Sequence, residues 1–523
     1  MTSAAAWSRS LGFLARRRSV RANFEIDKKD PPLQQVRGPR KILLGGDPFR
    51  LAMDGSWEQR VNVEMLRVIA TGLFGDMDAQ VATPEAIGVA PLPGADRLAL
   101  WAQRRTSPLT AEVERAFDSL LEGAFYLGFE TPDYLWRLVG ERCTGALDLR
   151  LHPCRFGPDY YLLVRSHGVP LRTLIDHETI QREMAIAAVS LQFDAVAAGT
   201  SAPKGADGVI ALQMPTDSAL LDDWGFANLA DHADELRRFA GSLPVVWIKP
   251  HPHSSPGEAD RLAVLQLENG RFTDRSTYHL IASRQVDKVM SLSSSVLHEA
   301  VLLGAAAVAL RPDLSHGFPV RSEFVAARLG DLYGPVASWL RDGHISQTSA
   351  PSARSLKKLL NLDWGTTDAP SPVTCPPAIP DTPLAITSWP LTHAKSYGWY
   401  NADAWGVWSS DLAALDFTWP VEQDEPITFE MTAAVYTGGR GVTDEVEIWS
   451  GGRRLDIVTL PTNHGDPATV RFDVPKPVQG EVVQLVFYRR LARRPCDVEA
   501  IPDFRRLGMM LFAIGRAAPP ITA

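Results

Sequence analysis

The sequences LPVVWIKPHP, at residues 243–252, and VDKVMSLSSSVLHEAVLLG, at residues 286–304, decide the fold. In each, a short run of β-branched and other apolar residues predicts a buried strand that ends at a polar loop. The second loop leads into VLHEAVLL, which predicts a helix that ends at Gly304. Strands that alternate with helices form parallel sheets with helices on their faces. The sequence therefore predicts an α/β fold here.

Polar residues follow both strands at the points where the strands end. Lys249 and His251 follow the first strand, and Ser293, Ser294 and Ser295 follow the second. Because open α/β sheets bind ligands at the carboxyl ends of their strands, we expect these side chains to lie together. A cation, an imidazole and the free N–H groups of a helix start suit a phosphate. The alternative is a strand-ending turn and, at Ser295, a simple helix N-cap.

This segment resembles the nucleotide-binding half of GT-B glycosyltransferases, over residues 243–312. It is similar to capsule-polysaccharide biosynthesis proteins that include Kdo transferases, and to bacterial sialyltransferases with their His-Pro and Ser-Ser motifs. The resemblance implies that His251 and the three serines hold the phosphate of a nucleotide sugar, with a CMP-sugar favoured. Polyol-phosphate transferases of teichoic-acid type share a similar loop but usually have Asp before the serines, where this chain has Leu292.

Three acidic residues are candidates for other parts of the site. Glu299 follows the serines by one helical turn, where its carboxylate is expected to accept hydrogen bonds from ribose hydroxyls. Glu130 follows the apolar run AFYLGF, in a region that resembles the same capsule-type proteins, and could take the proton of an acceptor hydroxyl or act as a nucleophile. The alternative is that Glu130 caps the helix that begins near Thr131. Asp148 is the second candidate catalytic carboxylate.

A second polar cluster, LHPCRF, is expected on the acceptor side. His152 and Arg155 in this cluster could bind a sugar carboxylate or a phosphate, with the guanidinium of Arg155 forming two parallel hydrogen bonds. The sequence contains neither a DxD triplet nor an HExxH motif, and its four cysteines form no CxxC pair. We therefore expect no metal and no cofactor, the nucleotide sugar being a substrate.

The last part of the chain changes character. Short alternating strands separated by turn residues predict an all-β sandwich or jelly roll from about residue 384. Its sequence resembles a β-sandwich module attached to several bacterial carbohydrate-biosynthesis enzymes, with GWYNADAWGVWSS at 398–410 and PDFRRLGMMLFAI at 502–514. Trp399, Trp405 and Trp408 could form a sugar-stacking platform; the alternative is that they pack within the domain.

The whole chain of 523 residues is expected to form several domains. The predicted fold class is α/β, with two Rossmann-like halves followed by an all-β domain. The predicted ranges are a basic N-terminal tail at 1–37, an acceptor-side half at 38–200, a nucleotide-sugar-binding half at 205–345, a Ser/Pro-rich linker at 346–383 and the β-sandwich at 384–523.

Charge limits the partners. The net charge of −8 argues against nucleic acid as a partner. The tail carries five arginines and no acid before residue 25, which fits a frayed tail, a weak anchor on an anionic membrane surface or an organellar transit peptide. We expect a cytoplasmic protein with a frayed tail; the anchor alternative would add peripheral contact with the inner face of the membrane.

The predicted function is glycosyl transfer from a nucleotide sugar to a growing polysaccharide or a glycolipid. The alternatives are a polyol-phosphate transferase or sugar epimerase on the same fold, and a non-catalytic carbohydrate-binding or assembly protein.

Overall fold

A computed structural model describes most of the chain after residue 40. The tail, residues 346–375 of the linker and Trp405 lie outside the described residues. In the described ranges, no helix is both long enough and apolar enough to cross a membrane. The described ranges are 41–51, 57–74, 79–83, 85–88, 101–102, 109–157, 160–169, 171, 177–197, 207–215, 217–222, 225–251, 256–312, 324–332, 376–403, 406–437, 443–462, 466–478, 481–490, 492, 495, 505 and 507–518.

The helices and strands fall into three regions. The first contains β1 (Lys41–Gly45), α1 (Pro48–Leu51), α2 (Trp57–Phe74), β2 (Ala79–Val81), α3 (Ala111–Leu121), β3 (Ala124–Phe129), α4 (Asp133–Arg142), β4 (Gly145–Leu151), β5 (Tyr161–His167) and α5 (His177–Ala197). The second contains β6 (Asp207–Ala211), β7 (Leu221–Asp222), β8 (Gly225–Phe226), α6 (Ala233–Gly241), β9 (Val246–Lys249), α7 (Glu258–Leu265), β10 (Gly270–Phe272), α8 (Thr277–Ala282), β11 (Val286–Ser291), α9 (Val296–Leu302), β12 (Ala306–Ala309) and β13 (Val325–Arg328). The third contains β14 (Leu384–Ala385), α10 (Trp389–Thr392), β15 (Lys395–Ala402), β16 (Val407–Thr418), β17 (Ile427–Val435), β18 (Thr443–Ser450), β19 (Arg453–Pro461), β20 (Ala468–Val474), β21 (Val482–Tyr488) and β22 (Met509–Arg516).

The first sheet has the strand order β13-β5-β4-β3-β1-β2. Strands β1 to β4 are parallel, and β5 is antiparallel to β4. Every residue of β3 is buried because apolar clusters cover both faces of the sheet. Strand β13 reaches this sheet after the chain has built the second one. The predicted range 205–345 for the second half did not anticipate this return.

The second sheet is wholly parallel, with the order β10-β9-β6-β11-β12. In chain order this is 3-2-1-4-5, so the winding reverses between β6 and β11. Such a reversal opens a crevice at the carboxyl ends of the two strands, where doubly wound folds bind ligands. A core cluster that contains residues of α5, β5, β6 and α9 joins the two halves.

The third region is an antiparallel sheet with the order β19-β18-β21-β16-β22-β17-β20. Strands β14 and β15 pair with β22 and β16, and the end strands β19 and β20 approach each other around an apolar core. The all-β character is therefore confirmed, but these strands form one continuous, nearly closed sheet.

The β-domain packs directly on the second half. Trp449, Val486 and Tyr488 belong to the same apolar cluster as Ile210, Ile248 and other residues around the second sheet. At this joint the buried Arg261 guanidinium lies 2.6 Å from the Asp411 carboxylate. The two regions therefore share a core, and their packing is not that of domains separated by a flexible linker.

Candidate functional site

A cavity of about 350 Å³ lies between the two α/β halves. Its walls are built by residues that follow β3 and β4 of the first sheet and β6, β9, β10 and β11 of the second. The carboxyl ends of both parallel sheets therefore face one space, which is where open α/β folds place their ligands. The Lys249–His251 loop and the serine run both line it.

Lys249 and His251 form the cationic side of the cavity. The ammonium of Lys249 donates a hydrogen bond to the backbone oxygen of Asp274, at 2.9 Å. Burial lowers the pKa of Lys249, while the nearby Asp274 carboxylate opposes this change. Burial likewise raises the pKa of Asp274, and Lys249 opposes that. The pair thus places a partly desolvated cation at the cavity wall, where an anion meets little competition from water.

The three serines have different surroundings. Ser293 is buried, and its N–H donates to Oε1 of Gln213 at 2.8 Å. The hydroxyl of Ser294 accepts the Val296 N–H at 3.3 Å, whereas Ser295 makes no capping hydrogen bond with its side chain. Ser295 therefore occupies the N-cap position of α9, as the alternative expected, but the hydroxyl that accepts a helix N–H is that of Ser294.

Gln213 is a cavity residue that the sequence analysis missed. It follows β6, the central strand at which the winding reverses, and contacts Ser291 at the end of β11 and Ser293 just beyond it. Its position directly after the apolar run VIAL was the available signal. A neutral amide here fixes the serine loop without changing the charge of the cavity.

Glu130 lies on the opposite side of the cavity. Its backbone has φ of 50°, a left-handed conformation that costs a non-glycine residue free energy and is concentrated at functional sites. Its Oε2 accepts a hydrogen bond from the Ser218 hydroxyl of the second half, at 3.2 Å. The N-cap residue of helix α4 is Pro132, so Glu130 lies two residues before the capping position.

Asp148 does not line the cavity. Its carboxylate is fully buried, accepting the Thr131 N–H at 2.8 Å and the Nε–H of Arg165 at 2.8 Å. Burial raises the pKa of Asp148, and Arg165 and Arg150 oppose that rise. The interpretation of Asp148 as a catalytic carboxylate is corrected on this ground: it has no access to a substrate and instead holds the loop that presents Glu130.

Arg150 is a second cavity residue that the sequence analysis missed. Its guanidinium lies 4.7 Å from the ring centroid of Phe324, and its Nε has no hydrogen-bond partner among the described residues. The side chain is 17% exposed and lies 3.9 Å from Asp148. Arg150 and Asp148 are two residues apart in β4, so their side chains lie on the same face of the sheet. This two-residue spacing was the sequence signal that could have identified Arg150.

Glu299 is committed to a contact between the two halves. Its Oε1 accepts the backbone N–H of Arg155 at 2.5 Å, and its Oε2 accepts the Tyr278 hydroxyl at 2.8 Å. Burial raises the pKa of Glu299 to about 7, against the attraction of Arg155. Glu299 also lines the cavity, and each of its oxygens already accepts a hydrogen bond from the protein, so the ribose contact stays a prediction. Arg155 itself lines the cavity, as an anion-binding residue requires.

His152 is buried beneath the Leu151–Arg155 turn. Its Nδ1 accepts the Cys154 N–H at 3.1 Å, and its ring packs against Tyr161 at 6.3 Å between centroids. The side chain is only 1% exposed. The predicted sugar contact is corrected: His152 supports the turn that carries Arg155.

Trp399 and Trp408 pack within the β-domain. Trp399 donates to the Ala414 oxygen at 2.8 Å and packs edge-on against Phe487. Trp408 is buried and packs perpendicular to Tyr436. A stacking platform needs an exposed aromatic face, so the packing alternative holds for these two residues. The prediction for Trp405 falls outside the described residues.

No group of three or more His, Cys, Asp or Glu residues in the described ranges is arranged to hold a metal ion. Metal independence remains a prediction.

No family model matches this chain, and no curated protein matches it. Among solved structures it is similar to KpsC, the β-Kdo 2,7 transferase of Thermosulfurimonas dismutans, with 14% identity and a TM-score of 0.26 over 61% of this chain and 99% of that one. A two-domain esterase active on acetylated mannans gives 10% identity and a TM-score of 0.17 over 63% and 95% of the chains. A family 35 carbohydrate binding module of Clostridium thermocellum gives 14% and 0.18 over 26% and 98%. These weak likenesses are to carbohydrate-related proteins, but such low scores carry no argument, and the site must be interpreted from its own residues.

Proposed function

We propose that this chain is a glycosyltransferase of GT-B type that moves a sugar from a nucleotide-sugar donor, with a CMP-sugar favoured, to a hydroxyl of a glycan or glycolipid. One observation carries the proposal. One cavity between the two α/β sheets has Lys249, His251 and the serine loop on one wall and the carboxylate of Glu130 on the other. A transferase requires this combination, because leaving-group stabilisation and proton removal must act on the two ends of one reaction.

The second half would bind the donor. Lys249 and His251 suit the negative charge that develops on the leaving phosphate as the bond to the sugar breaks. Ser294 and Ser295 stand at the start of α9, and their hydroxyls and the neighbouring N–H groups can donate to phosphate oxygens. Arg150 and Arg155 supply further positive charge at the edge of β4.

The first half would bind the acceptor. Glu130 would accept the proton of the attacking hydroxyl as the new glycosidic bond forms. Its contact with Ser218 shows that the carboxylate lies within hydrogen-bond reach of a hydroxyl on the donor side. An acceptor hydroxyl could take the place of that of Ser218. The presence of this cleft carboxylate favours an enzyme over a non-catalytic binding protein.

Ligand binding and product analysis test the proposal. CMP-, UDP- and GDP-sugars are compared for thermal stabilisation, with free sugars as controls; a donor at 100 times its dissociation constant adds about 2.7 kcal/mol. The best donor is then labelled in the sugar and incubated with glycan acceptors. Transfer of label with release of nucleotide supports the proposal. An isomerised nucleotide sugar indicates an epimerase, transfer of a polyol phosphate indicates the teichoic-acid-type alternative, and binding without turnover indicates a binding protein.

His251→Ala provides the matched site test. Loss of a charge-assisted contact costs roughly 1.5–3 kcal/mol, so donor affinity should fall by about 10- to 150-fold while the fold survives. His232→Ala, at the start of α6, is the control, since His232 is not among the residues that line the cavity. Equal donor affinity in the two folded variants would remove His251 from the site.

A further inference from the structure

Strand β10 lies at the edge of the second sheet, and among the described residues no strand pairs with its outer side. The side chain of Gln484, in β21 of the β-domain, takes that place. The Phe272 N–H donates to Oε1 of Gln484 at 2.7 Å, and Nε2 of Gln484 donates to the Phe272 oxygen at 3.0 Å. A carboxamide offers the same donor and acceptor as a peptide group, so Gln484 pairs with the strand edge as one residue of a further strand would.

The contact continues into the loop that follows β10. The Asp274 N–H donates to the Ser396 oxygen at 3.0 Å, and the carboxylate of Asp274 accepts the N–H of Gly398. Gly398 has φ of 74°, and a side chain there would collide with the Leu412 oxygen. The β-domain therefore holds both the backbone and the side chain of Asp274.

Asp274 is in turn the partner of Lys249. The Lys249 ammonium donates to the Asp274 oxygen at 2.9 Å, and the two charged groups attract each other. Asp274, Ser276 and Thr277 all line the cavity. A continuous set of hydrogen bonds thus runs from the β-domain through Asp274 to the cation of the cavity wall.

Gln484 is itself held in one orientation. Its Nε2 lies 2.7 Å from Oδ1 of Asp416 and 3.2 Å from the Ser396 hydroxyl, and its side chain is buried. Because the carboxylate of Asp416 only accepts when ionised, it fixes which end of the Gln484 amide donates. The Gln484 oxygen is thereby directed at the Phe272 N–H.

We propose that the β-domain supports one wall of the cavity from outside. Gln484 is a positioning residue that holds loop 273–278 and, through Asp274, orients Lys249. What Lys249 binds rests on the proposed function; the positioning does not. The β-domain acts on the cavity through its contact with the second half, independently of any ligand that its outer surface binds.

Hydrogen exchange of the full-length protein tests the positioning without any ligand. Gln484→Met keeps the side-chain length and removes both hydrogen-bonding groups. The control is Gln423→Met, on the same domain but away from the joint, where the amide donates only to the Glu425 oxygen. Peptides covering residues 270–276 should exchange about tenfold faster in Gln484→Met and unchanged in the control.

Two further readouts separate positioning from general destabilisation. The pH profile of Lys249 acylation, followed by mass spectrometry, should shift to higher pH in Gln484→Met, because water that reaches the ammonium stabilises its charged form. The KM for the donor should rise more than kcat falls. If the wild-type protein proves to have no transferase activity, exchange and acylation still decide the positioning, and only the proposed function fails.

The contrary results are equally clear. Unchanged exchange at residues 270–276 together with an unchanged acylation profile would overturn the inference. If Gln484→Met does not fold, Ser396→Ala replaces it, since this change removes one contact that orients the Gln484 amide. It should produce a smaller increase in exchange at the same peptides, and no increase there would also overturn the inference.

Discussion

The two sheet edges that face each other across the cavity are fixed by different chemistry. On the first edge, the buried pair Asp148–Arg165 holds the loop that carries Glu130. On the second edge, neutral amides hold the loops: Gln213 binds the serine run and Gln484 binds β10. The difference follows from the charge of the side chains that each edge directs into the cavity. An ion pair can fix a loop that bears a carboxylate, whereas a further charged side chain beside the edge that we propose to bind an anion would alter the electrostatic field there.

The largest expected effect is at the charged edge. Asp148→Ala leaves Arg165 and the Thr131 N–H without their buried partner, and should lower the free energy of unfolding by about 3–5 kcal/mol. The counterpart at the other edge, Gln213→Ala, removes the hydrogen bonds to Ser291 and Ser293 and a longer one, of 3.4 Å, to the Asp217 carboxylate, but breaks no buried ion pair and should cost about 1–3 kcal/mol. Urea denaturation of both variants measures the difference. A larger loss of stability in Gln213→Ala than in Asp148→Ala would contradict the comparison.

The next largest expected effect is on the pH dependence of stability and concerns Glu299, whose carboxylate connects the two α/β halves. Since burial raises its pKa to about 7 from 4.5, the folded protein keeps this proton at pH values where the unfolded chain has lost it. The contribution of Glu299 to the free energy of unfolding therefore falls as pH rises between about 4.5 and 7, by roughly 3 kcal/mol.

Glu299→Gln should abolish this particular fall. The stability difference between wild type and variant, measured by urea denaturation at pH 4.5 and pH 8, should shift in favour of the variant at the higher pH. A difference that stays constant with pH would show that the carboxyl titrates normally in the folded protein.

The smallest effect distinguishes two neighbouring serines. Ser294→Ala removes the capping hydroxyl of α9 and should cost about 1 kcal/mol of stability. Ser295→Ala removes no capping bond, so its melting temperature should stay near that of wild type while its donor affinity falls. Thermal melts with and without donor separate the two roles, and an equal loss of stability in both variants would contradict the assignment.

The sequence predicts the second edge better than the first. Lys249, His251 and the serine run lie within continuous strand-loop patterns, and parallel pairing brings such loops to one edge without knowledge of distant contacts. For Asp148 and His152, the sequence identifies the chemical type but not the direction of the side chain. Both turned out to be buried, because the partners that hold them, Arg165 and Tyr161, come from the adjacent strand.

Contacts between regions were beyond prediction for the same reason. Gln484 is 212 residues from Phe272 along the chain, and nothing local marks a glutamine in an alternating strand as a partner for another domain. The return of β13 to the first sheet likewise depends on packing against residues far earlier in the sequence. Composition predicted the all-β domain, but not that it would share a core with the second half.

The most direct test of the central claim is turnover by Glu130→Gln, a variant that keeps the side-chain shape and removes the basicity. The control is Glu141→Gln, an exposed glutamate on α4 of the same half. With the donor found by the binding screen, Glu130→Gln should lose about 10²–10⁴-fold in kcat while donor affinity and melting temperature stay near wild type. Turnover of folded Glu130→Gln at the wild-type rate would contradict the account, because the cavity would then have its anion-binding wall but no base opposite it.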